Sequence, residues 1–198
     1  MTRVAYLLVR PEAHHHAPQP KANASAGTYI SMVVLRATRK LSAALPITTV
    51  GDETSDTALG DWFVNRLVVD RRPLLLLLSE KSLLPILTPA RNVSDLPDAL
   101  PELVSVRLRR LGIDHAAIER ERSAMSPVLT SRTNNRSVMG FMVDFAKAIP
   151  YYLDAGAWDD STLPFVEARL GETPCYAGTR PGDVIWPARV AASLLASA

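Results

Sequence analysis

The sequence predicts an α+β domain: an antiparallel sheet of about four strands, a β-meander, packed by two or three helices. Three observations predict it. Between Trp62 and Leu87, short apolar runs alternate with polar turns, the pattern of consecutive hairpins. Val138, Phe141, Met142, Phe145, Ile149 and Tyr152 recur at helical spacing, which makes one stripe of an amphipathic helix. Over 198 residues, 47% are apolar and 21% charged, a composition that buries a core without disulfides or metals.

Residues 1–31 differ from the rest. His14, His15 and His16, then Pro18, Pro20, Asn23, Ser25 and Gly27, make a polar, breaker-rich stretch; it reads as a disordered N-terminal extension. Met32 is a candidate start of translation beside Met1. Residues 32–155 read as the α+β core, and 156–198 as a helical and irregular segment packed on it.

Within the core, 33–35 reads as a strand and 36–45 as a short helix, with Leu41 and Leu45 inward and Arg39 and Lys40 outward. Pro46 stops it, and 48–60 is a loop. Strands follow at 62–69, 74–78 and 83–87. The middle one, Leu74 to Leu78, is apolar on both faces, so it is central and covered by helices on at least one side. Ser94 or Asp95 caps a helix toward Leu111, with Pro97 in its first turn and Gly112 at its end; Pro101 delays its start. A helix over 114–125, a strand over 128–132 and the amphipathic helix over 137–153 come next, the last bent at Pro150. Residues 162–170 read as a helix, 171–182 as a loop, and 183–197 as a closing helix interrupted by Pro187.

Composition also excludes. With 22 basic and 20 acidic side chains, a formal charge of +2 is too small a surplus to imply nucleic acid by itself. One cysteine, Cys175, rules out an internal disulfide framework and a cysteine-based zinc knuckle, and points to a reducing, cytoplasmic compartment. The longest apolar run, Leu74 to Leu78, is far short of the roughly 20 residues that cross a bilayer, so no membrane partner is expected. Nine scattered glycines form no phosphate loop, and no cofactor or metal is expected. Adjacent histidines cannot converge on one ion in regular structure. Cys175 has no histidine nearby in sequence and reads as a structural or surface thiol.

The densest polar cluster is Thr133, Asn134, Asn135, Arg136 and Ser137, entering the amphipathic helix, with Asp144 two turns in. Asn135 or Ser137 caps that helix, whose free N–H groups and dipole attract an anion; Arg136 adds a fork suited to phosphate or carboxylate. If the helix start meets the hairpin carrying Arg71 and Arg72, then Trp62, Arg71, Arg72, Asn135, Arg136, Ser137 and Asp144 line one electropositive hollow. The expected function is non-enzymatic binding or interaction with an anionic or polar ligand, or with nucleic acid. The plainer reading leaves Asn135 as a cap, Trp62 in the core and the arginines in solvent. An alternative is metal-dependent phosphodiester hydrolysis by Asp61, Asp70, Glu80 and Asp144. Against it, Glu80 and Lys81 are adjacent, so in a strand their side chains leave opposite faces.

Several of these strings, taken in order, carry a resemblance. They are the run from Val34 to Leu41, Gly60-Asp61-Trp62, Asp70-Arg71-Arg72, Thr133 to Ser137 with Gly140 and Asp144, and Leu170 to Cys175. Over about 33–175 the chain resembles an uncharacterised bacterial domain family of unknown function. The resemblance implies a compact bacterial α+β domain, often encoded alone, and supplies no catalytic residue.

Overall fold

Five strands, β1 (Val33–Ala37), β2 (Trp62–Val69), β3 (Arg72–Ser79), β4 (Pro85–Pro89) and β5 (Val128–Arg132), form one sheet in the order β4-β3-β2-β1-β5. The computed structural model describes residues 31–49, 53–176 and 183–198. The expected N-terminal extension, with His14, His15 and His16, lies outside the described residues, as does part of the 171–182 loop.

β2, β3 and β4 make the antiparallel meander that the short turns predict. The sheet as a whole corrects the expectation of four antiparallel strands, because β1 runs parallel to both β2 and β5. Connection length is the reason. Residues 38–61 separate β1 from β2, and two helices separate β4 from β5; links of that length let a strand return in the same direction, which a tight turn cannot.

The expected helix over 36–45 is also corrected. β1 continues through Arg36 to Ala37, and a turn follows, in which Leu41 and Ser42 donate to the Thr38 carbonyl at 2.8 and 3.0 Å. Leu41 and Leu45 are buried all the same. Their four-residue spacing marks a core-facing turn.

Asp70 and Arg71 form the β2–β3 turn, with φ of 48° and 65°. A two-residue hairpin turn of this left-handed kind usually takes Asn-Gly. Here the strained pair is tied down. Asp70 Oδ2 accepts from Gly156 N at 3.1 Å and from Trp158 Nε1 at 2.9 Å. Arg72 stacks over the Trp158 ring, 4.8 Å from its centroid, and donates to its carbonyl.

Among the described residues there are five α-helices, each in a segment expected to be helical, and all five pack beside the sheet, where two or three were expected to: α1 (Leu96–Arg110), α2 (His115–Ala124), α3 (Arg136–Ala148), α4 (Leu163–Gly171) and α5 (Pro187–Ala196). Leu75 and Leu77 of β3 point into one core with α1, α2 and α5. Leu74, Leu76 and Leu78 point into the other with α3 and α4. Both faces of the leucine strand are therefore covered by helices, where cover on at least one was expected. α1 starts at Leu96 despite Pro101, since Leu96 and Leu100 are both buried and their packing outweighs the lost backbone bond. Pro187 begins α5 rather than interrupting it, the position where a missing N–H matters least. A two-stranded pair, β6 (Cys175–Tyr176) and β7 (Val184–Ile185), brackets the expected loop.

Candidate functional site

β1 and β5 lie side by side and end together, with Ala37 opposite Arg132. Thr133 N donates back to the Ala37 carbonyl at 3.2 Å, which holds the two exits adjacent. The exits then diverge. From β1 the chain carries Leu41 and Leu45 into the core of α1 and α2; from β5 it leads through Thr133 and Asn134 into α3, on the opposite face. Adjacent parallel strands whose chains leave toward opposite faces open a crevice at their carboxyl ends, the usual place for a ligand in such sheets.

Two hollows occupy this crevice. One, of about 610 Å³, is lined by Ala37, Arg39, Ser42, Ala43, Arg132 and Thr133. The other, of about 250 Å³, is lined by Thr133, Asn134, Asn135, Arg136 and Met139. Thr133 belongs to both. Arg39, Arg132 and Arg136 are exposed, and among the described residues none of them has a carboxylate partner. The nearest acid in the hydrogen-bond network is Glu80, whose Oε1 accepts from Asn135 Nδ2 at 3.4 Å.

Asn135 is the N-cap of α3. Its Oδ1 accepts from Ser137 N at 3.1 Å and Val138 N at 3.3 Å, so two of the N–H groups that would face an anion are already satisfied. Arg136 is the first helical residue and points its charge outward from that cap.

The other residues singled out in the sequence fall elsewhere. Arg72 is held by Trp158 and Arg71 sits in the hairpin turn, at the opposite end of β3 from Glu80, the partner of Asn135. Eight strand residues separate the two ends, on the order of 25 Å at the usual rise. The hairpin arginines and the α3 start therefore do not share a hollow. Trp62 is fully buried in the core under α1 and α2, its indole N–H without a hydrogen-bond partner. Asp144 is exposed on α3, 3.8 Å from Lys147 Nζ, and lines a separate, largely apolar hollow of about 220 Å³ with Phe141, Phe145 and Cys175. Burial, with the Asp144 charge beside it, pushes the Cys175 thiol up to about 11, which keeps it protonated and a poor nucleophile.

The carboxylates weighed for hydrolysis are likewise dispersed. Asp61 forms a buried ion pair with Arg36, and its Oδ1 accepts from Ser55 N at 2.8 Å and Ser55 Oγ at 2.6 Å. Arg36 Nη2 also donates to the Glu53 carbonyl at 2.6 Å. This network explains why a charged residue sits 1% exposed in mid-strand. Asp70 serves the hairpin turn, Glu80 receives Asn135, and Asp144 pairs with Lys147. Among the described residues, no three of His, Cys, Asp or Glu are grouped so as to hold a metal ion, and no helix is long and apolar enough to cross a membrane.

Arg39, Ser42 and Arg132 escaped the sequence reading. The signal that could have found them is the pairing of β5 with β1, which sets the two strand ends beside each other.

Fold and crevice together define an α+β domain with a mixed five-stranded sheet between two helical layers and a basic crevice at its parallel strand ends. The chain belongs to the family described as a domain of unknown function, DUF6933, whose profile matches residues 34–190. No curated protein and no solved structure matches it.

Proposed function

We propose that this domain is a non-enzymatic binding protein that takes an anionic or strongly polar ligand into the crevice at the carboxyl ends of β1 and β5, beside the start of α3. The observation that carries the reading is the set of guanidinium groups around the crevice: Arg39, Arg132 and Arg136 have no carboxylate partner among the described residues. A planar fork of donors suits phosphate and carboxylate. Asn135 and Ser137 support the site by fixing where α3 begins, and the α3 dipole favours negative charge at that end. Trp62, Arg71, Arg72 and Asp144 have no part in it.

The reading places the protein in the reducing cytoplasm of a bacterial cell, in keeping with its single buried cysteine. Hydrolysis with a metal gains no support from the dispersed carboxylates.

A calorimetric titration series with inorganic phosphate, sugar phosphates, nucleotides and carboxylic acids tests the proposal. A hydrogen bond to a charged group contributes about 1.5–3 kcal/mol, so Arg132→Ala should weaken any anion that binds by about tenfold or more. Wild-type and variant protein that bind every probe equally, or not at all, would remove the crevice as the site.

A further inference from the structure

The basic crevice is divided. On the reading just given, we infer that its ligand carries two anionic groups on a short, non-aromatic frame. One group lies between Arg39 and Arg132, and the other is held by Arg136.

The division is geometric. Arg39 and Arg132 line one hollow, Arg136 lines the other, and the two meet at Thr133. Arg132 and Arg136 are four residues apart, so their Cα atoms lie within about 14 Å of each other whatever path the chain takes. Two arginine side chains reaching across that span can hold one small molecule at both ends. The second anchor is the Arg136 side chain, since Asn135 Oδ1 already takes the Ser137 and Val138 N–H groups at the helix start. Each anchor is a fork of donors that matches a phosphate or a carboxylate.

The lining restricts the frame. Small-molecule sites are usually walled by apolar and aromatic side chains, and sites that read bases offer an aromatic platform. Among the described residues, neither hollow has an aromatic side chain, and Met139 is the one long apolar side chain in either. Ser42, Thr133 and Asn134 instead offer hydroxyl and amide groups between the anchors. That set fits a hydroxyl-bearing linker such as a polyol.

The test is a set of dissociation constants measured calorimetrically on the full chain. Probes are glycerol 3-phosphate, adenosine monophosphate, fructose 1,6-bisphosphate and citrate, and the proteins are wild type, Arg132→Ala and Arg136→Ala. All three arginines are exposed, so unchanged melting temperatures are expected and certify the variants. Fructose 1,6-bisphosphate or citrate should bind at least tenfold more tightly than glycerol 3-phosphate, and the tighter of the two tells phosphate from carboxylate. Either substitution should reduce that probe to the affinity of the monophosphate, and adenosine monophosphate should bind no better than glycerol 3-phosphate. Equal binding of one-anion and two-anion probes, both weakened by Arg132→Ala, would overturn the two-anchor inference and leave the binding site standing. Tenfold preference for the nucleotide would overturn the non-aromatic frame. Binding of all probes that ignores both substitutions would overturn the site and this inference together.

Discussion

At the β4 edge of the sheet the outward backbone groups meet side chains, whereas at the β5 edge they meet another stretch of chain. On β4 the outward positions are 85, 87 and 89. Pro85 and Pro89 have no N–H to offer, the Leu87 N–H goes to Glu167 Oε1 at 2.8 Å, and the Pro85 carbonyl takes Arg107 Nε at 3.1 Å. Glu167 in turn lies 3.1 Å from Arg110 Nη1 and 3.9 Å from Arg107 Nε. Gly171 makes room for this arrangement, since a Cβ there would lie 2.9 Å from Arg107 Nη2. On β5 the chain over 46–49 lies alongside. Thr48 N and Thr49 N donate to the Thr130 carbonyl at 3.0 and 3.1 Å, and Thr130 N donates to Thr48 Oγ1 at 2.8 Å. An exposed edge invites pairing with another chain, and on each edge these contacts take up outward groups at the middle of the strand. One closure depends on buried charge and the other on neutral hydrogen bonds, so they should fail differently.

The largest effect is expected at β4. Glu167→Ala removes the acceptor for Leu87 and leaves the buried Arg107 without its counter-charge, a change that costs about 3–5 kcal/mol in comparable cases; a drop in the urea midpoint measures it. At β5, Thr130→Val keeps the shape and loses the hydroxyl bonds to Thr48 and Pro46, for about 1–2 kcal/mol on the same measurement. Equal losses at the two edges would erase the distinction between them.

A smaller effect separates the edges by pH. Burial raises the Glu167 carboxyl above its ordinary range, against the pull of Arg107 and Arg110. For an acid raised in the folded state, the stability it contributes is fully present below the unfolded value of about 4.3 and is lost as pH climbs through the folded value. Wild-type and Thr130→Val protein should show this decline alike, and Glu167→Gln should show less of it. Glu121, also raised by burial, contributes a slope of the same sign and survives in all three. Parallel pH profiles for wild type and Glu167→Gln would mean that Glu167 does not titrate in this window.

The parts legible in the sequence were those that local spacing controls. The leucine run, its turns and the α3 stripe each state their burial within a dozen residues, and Asn135 announces its helix by its own chemistry. What escaped depends on partners far along the chain. Arg36 looks like the start of a solvated helix until Asp61, 25 residues on, neutralises it inside the sheet. The pairing of Val33 with Val128 leaves no local trace, so the crevice between Arg39 and Arg132 was invisible while Arg136 was not. Arg71 and Arg72 drew notice as a basic hairpin tip; the Trp158 that holds Arg72 lies 86 residues away.

The leucine strand has a consequence for how the protein is made. When β4 has left the ribosome, Leu74 to Leu78 lacks all of its helices, because every one that covers it comes later, beginning with Leu96; the earlier Leu41, Leu45 and Leu59 share one of its two cores. A short, uncharged, strongly apolar run in that condition is prone to self-association. The first core gains the wall of Ala191 and Leu195 only with α5, so that face of the leucine strand stays incomplete until α5 has been made.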